Sequence, residues 1–299
     1  SPMAECAVVA PASLAEALAV LAEMGADAMP VGGGVWVTLT LRSGLVRPRL
    51  LLDLRRLAEL AAIGVERDGS LCVGALVTHR ALERSPLVRE RWPVLAETLA
   101  DVANVRVREQ ATLIGNLCEA DPASDPPAVL AALGATVELV SQRGSRVVPV
   151  GEFILGAYQT VREPDELVTA IRIPSLPNGS GAAYCKFRTR SHEDRPAVGV
   201  AAVVALDPGG RIAHLEVVVG AAGDRPQRVP EALATARGAV FDEELVTSLA
   251  DSYAAAVETV SDLRASAWYR REMVRVFVAR AVRLAAERAS RFAGGGRDR

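Results

Sequence analysis

The 299-residue sequence predicts an α+β fold, with a two-lobed N-terminal region followed by a smaller sheet-plus-helices C-terminal domain. Three observations carry that prediction. Short apolar segments of strand and helix period alternate as far as Ile173, punctuated by glycine-rich turns. The stretch Pro174-Ser175-Leu176-Pro177-Asn178-Gly179-Ser180-Gly181 then reads as the clearest linker in the chain. Beyond it the texture changes to three strands and then helices. The predicted boundaries are 1–54 for the first lobe, 55–175 for the second, 176–290 for the C-terminal domain and 291–299 for a disordered tail.

Taken in order, Ser13 and Glu16 have the spacing of a capping box ahead of a helix over Leu14–Met24, which Gly25 ends. A strand over Ala26–Val31 leads into Gly32-Gly33-Gly34. Leu50–Leu54 reads as a buried strand, and residues 65–73 as a hairpin turning at Asp68-Gly69. Helices are expected at His79–Glu83, Pro93–Val102 and Pro127–Leu133, with a strand at Thr136–Val140. Glu166–Ile173 alternates and stops at Pro174, as a strand should. In the last third, strands are expected near 183–188, 197–206 and 212–219, and helices near 243–260 and 266–290. Tyr269, Met273, Val276, Phe277 and Leu284 share one face of the last helix and are expected to be core.

Composition narrows the function classes. Half the residues are apolar and the net charge is −2, so neither a polyanion-binding surface nor nucleic acid is expected. The longest apolar runs are too short for a membrane span. Four scattered cysteines and three distant histidines give no metal or cluster spacing. No nucleophile–base–orienter set is evident, so no catalytic residue is assigned. His79 reads as a helix-start residue rather than a base. The expected location is the cytoplasm.

Chemistry is most concentrated in two stretches. Gln110–Asp125 packs hydroxyls, a glycine, amides and carboxylates into what reads as a loop between apolar segments, and Val31–Gly34 is glycine-rich. Such backbones can approach a polyphosphate or ribose closely, so the two are expected to face each other across one dinucleotide. Each residue also has an ordinary reading: a tight strand-to-helix turn for the glycines, turn caps for Thr112 and Asn116, an N-cap for Asp125.

Eight phrases, in order, give the chain a resemblance to a known family. They are Leu52-Asp53-Leu54-Arg55-Arg56-Leu57, Gly74–His79, Ser85–Val88, Thr112–Asn116, Asp121–Asp125, Glu166-Leu167 with Ile171–Pro174, Tyr184–Phe187 and Arg264–Arg271. The chain resembles the FAD-binding medium subunit, or equivalent domain, of molybdenum hydroxylases such as carbon monoxide and xanthine dehydrogenases. The resemblance implies a vanillyl-alcohol-oxidase/PCMH-like FAD-binding region and an oxidoreductase flavoprotein. It also implies that electrons pass from an iron–sulfur subunit to an external small-molecule acceptor, with substrate oxidised on a molybdopterin subunit.

The resemblance implies, too, which residues meet FAD. Val31, Gly32, Gly33, Gly34, Val35 and Trp36 align with the first flavin loop, and Thr112, Ile114, Gly115 and Asn116 with the second. Asp125 aligns with the carboxylate at the ribose or adenine end, and Lys186 with a lysine near the isoalloxazine ring. Val168 aligns with a residue packed on the flavin, though strand core explains it equally well. Asp121 is expected to serve its own turn. Gly34, Val35, Trp36 and Ile114 depart from the family pattern. Val35, Trp36 and Ile114 motivate an alternative: a repurposed member with a narrowed cleft, acting as a small-molecule binding protein or non-redox enzyme. A weaker reading is a purely structural pseudo-subunit.

Overall fold

The computed structural model describes residues 6–32, 47–102, 105–188 and 195–294. In the first lobe, β1 (Ala7–Val9), α1 (Leu14–Met24), β2 (Ala28–Val31) and β3 (Leu50–Asp53) build a parallel sheet of order β1-β3-β2. Ser13 accepts the Glu16 amide hydrogen bond as N-cap, and Glu16 reaches back to the Ala12 amide. Gly25–Asp27 forms a 3-10 turn, so β2 starts two residues later than its apolar run suggests.

The second lobe contains β4 (Ile63–Val65), β5 (Leu71–Gly74), α2 (His79–Arg84), α3 (Pro86–Arg91), α4 (Pro93–Ala100), α5 (Val105–Gln110), α6 (Leu113–Glu119) and α7 (Pro126–Ala132). It continues with β6 (Thr136–Ser141), β7 (Gly144–Pro149), α8 (Val150–Phe153), a small hairpin of β8 (Ile154–Gly156) and β9 (Gln159–Thr160), and β10 (Leu167–Ile173). Its antiparallel sheet runs β4-β5-β10-β6-β7. Gly69 turns the β4–β5 hairpin in the left-handed region, at φ 87°. The expected loop at Gln110–Asp125 is corrected here. Thr112 caps a true helix, α6, and only residues 111–112 and 120–125 lie outside helices.

The C-terminal domain is an antiparallel sheet, β11 (Gly181–Phe187), β12 (Val198–Leu206) and β13 (Ile212–Gly220), covered by α9 (Pro230–Ala236), α10 (Glu243–Ala256) and α11 (Ala267–Gly294). The α11 stripe differs from expectation. Phe277 is core as expected, and Met273 and Leu284 pack partly buried against it, but the buried face runs mainly through Val274, Val278, Ala281, Val282, Ala285 and Ala289, while Tyr269 and Val276 stay 39% and 36% exposed. Small residues win because the helix crosses β11 almost in contact: a Cβ at Gly181 would lie 2.0 Å from the Ala285 carbonyl oxygen. The helix also runs on to Gly294, so 291–294 do not belong to a disordered tail, and 295–299 lie outside the described residues.

Two apolar cores result. One fills both lobes and takes Ala201, Val203 and Val218 from the near face of the last sheet. The other lies between that sheet's far face and the covering helices. Helix α7 is the piece between them: all seven of its residues are buried, and it packs on β12 and β13. Trp92, also fully buried, donates its indole N–H to the Pro174 carbonyl at 2.9 Å, pinning the linker to the second lobe.

Candidate functional site

The two predicted loops come together. Gly32 ends β2 so close to the second lobe that a Cβ there would sit 3.3 Å from the Leu76 side chain. The same Cβ would be 3.7 Å from the Thr112 methyl. The last bond holding β2 to its neighbour is from the Leu54 amide to the Val31 carbonyl. Gly33, Gly34, Val35 and Trp36 lie outside the described residues.

At the head of α6, Thr112 accepts the Gly115 amide at 3.0 Å, the N-cap bond that satisfies one orphan donor of the helix. The cap is tight: a Cβ at Gly115 would meet the Thr112 hydroxyl at 2.7 Å. Asn116 accepts a hydrogen bond from the Ser124 hydroxyl at 2.9 Å, which uses its amide oxygen and not its two N–H donors. A threonine O–H, an asparagine amide and the close-packed glycine of the neighbouring lobe are donors suited to phosphate or ribose oxygens, so these residues fit an FAD nucleotide.

Ile114 was expected to decide whether a flavin can sit here, because it stands where the family has glycine. The structure removes that objection. Ile114 occupies the second position of α6 in helical backbone and is not among the residues of positive φ. Its side chain is 5% exposed and belongs to the main core. A β-branched residue is strained only where φ is positive, and a side chain turned into the core does not narrow a cleft.

Asp125 and Lys186 are where the expectation needs correction. They were read at opposite ends of the cofactor, yet the Lys186 ammonium donates to the Asp125 carboxylate at 2.9 Å. Both side chains are nearly buried, at 9% and 8%. A hydrogen-bonded pair cannot flank the two ends of an extended dinucleotide. Asp125 does stand at the start of α7, but makes no side-chain cap there. Its other oxygen accepts from the hydroxyl of half-buried Tyr184. Desolvation, and then the Asp125 charge, push the Tyr184 phenol well above its usual range, so it stays a donor.

The pair extends into a network. Lys186 also lies 3.4 Å from Asp101, which pairs with Arg188 in turn, while Arg195 pairs with Asp121. Two carboxylates and two cations around Lys186 balance. The open side of the cluster is a cavity of about 80 Å³ lined by Glu97, Thr98, Asp101, Tyr184 and Lys186. That is well below the roughly 300 Å³ at which small-molecule sites begin. Asp121 also holds its own turn, accepting the Ala123 amide, as expected.

Val168 is 3% exposed in the main core, beside the register shift between β10 and β6, so packing favours its strand-core reading. His79 begins α2, buried, with its Nδ1 lacking a partner; desolvation, helped by Arg108, holds its pKa down to about 4. Sequence reasoning missed Tyr184 and Asp101 as members of the cluster. One signal was available: Lys186 is the single lysine among 34 basic residues. Among the described residues no group of His, Cys, Asp and Glu could hold a metal ion, and no helix is long and apolar enough to cross a membrane.

Comparison with known proteins gives a consistent picture. Residues 4–176 match the model of the FAD binding domain in molybdopterin dehydrogenase, and residues 182–285 that of the CO dehydrogenase flavoprotein C-terminal domain. The chain is 34% identical to the carbon monoxide dehydrogenase medium chain of Afipia carboxidovorans over 280 residues, covering 93% of this chain and 96% of that one. It is 29% identical to the xanthine dehydrogenase FAD-binding subunit of Escherichia coli O157:H7, covering 91% and 92%. Among solved structures, carbon monoxide dehydrogenase from Hydrogenophaga pseudoflava superposes with a TM-score of 0.90 at 33% identity, covering 95% of this chain and 98% of that one. Quinoline 2-oxidoreductase from Pseudomonas putida 86 gives 0.88 at 31%, covering 97% and 99%.

Proposed function

The chain belongs to the FAD-binding medium subunits of the molybdenum hydroxylases, oxidoreductase flavoproteins, and on that premise we propose that it is the electron relay of such an enzyme. In this reading it works with an iron–sulfur subunit that delivers electrons and a molybdopterin subunit that oxidises the substrate, and it passes electrons on to an external acceptor. Bound FAD supplies a centre able to take electrons singly or in pairs; the protein supplies its position and surroundings.

The observation that carries the proposal is the juxtaposition of Gly32 with the capped head of α6. Thr112 and Asn116 offer hydroxyl and amide donors to the nucleotide, and Gly32 lets the backbone of the first lobe close on it. The Asp125–Tyr184–Lys186 network holds the C-terminal domain against the second lobe, so the walls of the cleft keep a fixed relation. The repurposed-member reading loses Ile114 as a motive, because that residue packs in the core.

The visible spectrum of the purified protein tests this, together with assay of the supernatant for FAD after denaturation. Flavin bands at close to one FAD per chain are expected. A colourless protein that also fails to quench the fluorescence of added FAD would refute the proposal. Relay is tested by adding the iron–sulfur and molybdopterin subunits with a reducing substrate: the flavin band should bleach only when both are present.

A further inference from the structure

Where the linker passes from the second lobe to the C-terminal domain it borders a cavity of about 660 Å³. Small-molecule sites typically enclose roughly 300–1,000 Å³ and favour domain boundaries. The walls come from both bodies: Arg91 and Pro93 from the α3–α4 junction, Leu176, Asn178 and Ser180 from the linker, and Arg288 from α11. None of the described residues assigned to the flavin lines it.

Two of these groups are fixed in place and open to a further partner. The Arg91 guanidinium sits over the Trp92 ring, 4.7 Å from its centroid. Its Nη2 donates to the Gly69 carbonyl at 3.0 Å and to the Ser175 hydroxyl at 2.9 Å. Trp92 is fully buried, so the cation rests on a rigid ring while the residue itself stays exposed along the cavity. A guanidinium plane stacks well on aromatic rings. The Ser180 hydroxyl, by contrast, is buried and has no hydrogen-bond partner among the described residues. Its own amide closes a turn onto the Pro177 carbonyl at 3.0 Å, with Gly179 at φ 73°, so the backbone holds that hydroxyl where it is. An orphaned buried hydroxyl is destabilising, and a ligand that bonds it removes that penalty.

The wall carries no net charge. Its charged side chains, among the described residues, are Glu90, Arg91, Glu97 and Arg288. Arg288 is already bonded to Glu97 at 3.2 Å and to the Ala182 carbonyl at 2.7 Å. An ion entering this crevice would lose hydration and meet balanced charge in return. Pro93, Leu176 and Pro177 offer apolar surface, Arg91 a plane to stack on, and Ser180 and Asn178 groups that donate to an acceptor. We infer that this cavity binds a neutral, planar heteroaromatic molecule, stacked on Arg91, with a ring nitrogen or carbonyl accepting from Ser180. Bound there, it ties the second lobe to the C-terminal domain. The assignment does not depend on the medium-subunit reading, because the two sites share no described residue.

The test is isothermal titration calorimetry of the full-length chain with quinoxaline, an uncharged probe with two ring-nitrogen acceptors, with and without saturating FAD. One saturable site that FAD leaves unchanged is expected, together with a rise in melting temperature. N-methylquinolinium and naphthoate, a cation and an anion of similar shape, should bind more weakly by about tenfold or more. Ser180→Ala removes a hydroxyl that has no partner in the free protein. It should therefore melt at or above the wild-type temperature, yet bind quinoxaline about fivefold more weakly. Asn178→Trp, at an exposed linker position, should fill the cavity and abolish binding. Absence of saturable binding, displacement by FAD, equal binding of the charged analogues, or undiminished binding by either variant would each overturn the assignment. Quinoxaline binding by a chain that takes up no FAD would sink the medium-subunit reading alone.

Discussion

Lys186 touches two carboxylates; its loss would leave the buried Asp125 without a cation, while half-exposed Asp101 keeps Arg188. Removing one partner of a buried pair typically costs about 3–5 kcal/mol, more than the pair itself contributes. Lys186→Met should therefore destabilise the protein by about that amount in urea, and Asp125→Asn in the same chain should recover much of it. A double variant no more stable than the single would show that the pair is not what matters. His79 makes a second residue-scale prediction. Its pKa is depressed from 6.5 to about 4 by burial, so the unfolded chain takes up the proton more readily. The stability this histidine permits is present above about pH 6.5 and lost as pH falls towards 4, roughly 3 kcal/mol in all. In His79→Gln the decline in unfolding free energy between pH about 7 and about 4 should be smaller by a similar amount. Neither environment was legible in the sequence. Asp125 had a complete local explanation as a cap before two prolines, and its true partners lie 59 and 61 residues away.

At the scale of elements, the sequence was most readable where period and punctuation agree. Ser13, Glu16 and Gly25 marked both ends of α1, and the Asp68-Gly69 turn located its hairpin. Helix α6 was hidden because Gly115 and Asn116 are poor helix formers within only seven residues, and tertiary packing of Leu113, Ile114 and Leu117 decides the matter. The α11 stripe was misplaced in part, at Tyr269 and Val276, for a related reason. Large side chains define a hydrophobic face in sequence, but here alanines form the contact because β11 must come close. That contact can be tested. Gly181→Ala would drive a methyl into the Ala285 carbonyl and the Ala289 amide, 2.0 and 2.4 Å from its Cβ, and backbone cannot swing aside as a side chain can. Overpacking of this kind costs typically about 1–3 kcal/mol and more when the obstacle is main chain, so the melting temperature should fall by several degrees. An unchanged melt would mean that the helix end is looser than its packing implies.

For the whole molecule, the linker at Pro174–Gly181 invites the idea of two independent bodies, and the packing argues against it. The β11–β13 sheet is buried on both faces, by α9–α11 on one side and by α7 with the lobes on the other. Ala201, Val203 and Val218 belong to the lobes' core although their strands belong to the C-terminal domain. Polar contacts cross the same boundary. Tyr184 and Lys186 hold Asp125, Arg228 donates to the Ala131 carbonyl at 3.0 Å, and Arg288 bonds Glu97. Separating the bodies would expose one face of a β-sheet and strand the Asp125 carboxylate, so neither half has a stable state without the other. Thermal unfolding should accordingly be one cooperative transition, with calorimetric and van't Hoff enthalpies in agreement. Two resolved transitions, or a fragment beginning at Gly181 that gives a native-like circular dichroism melt, would contradict it. Coupling of this strength also bears on the proposed relay: a flavin held between the two lobes, as proposed above, would keep its surroundings only while the C-terminal domain stays docked. Lys186→Met should then raise the FAD dissociation constant as well as lower stability, although the ammonium need not touch the cofactor.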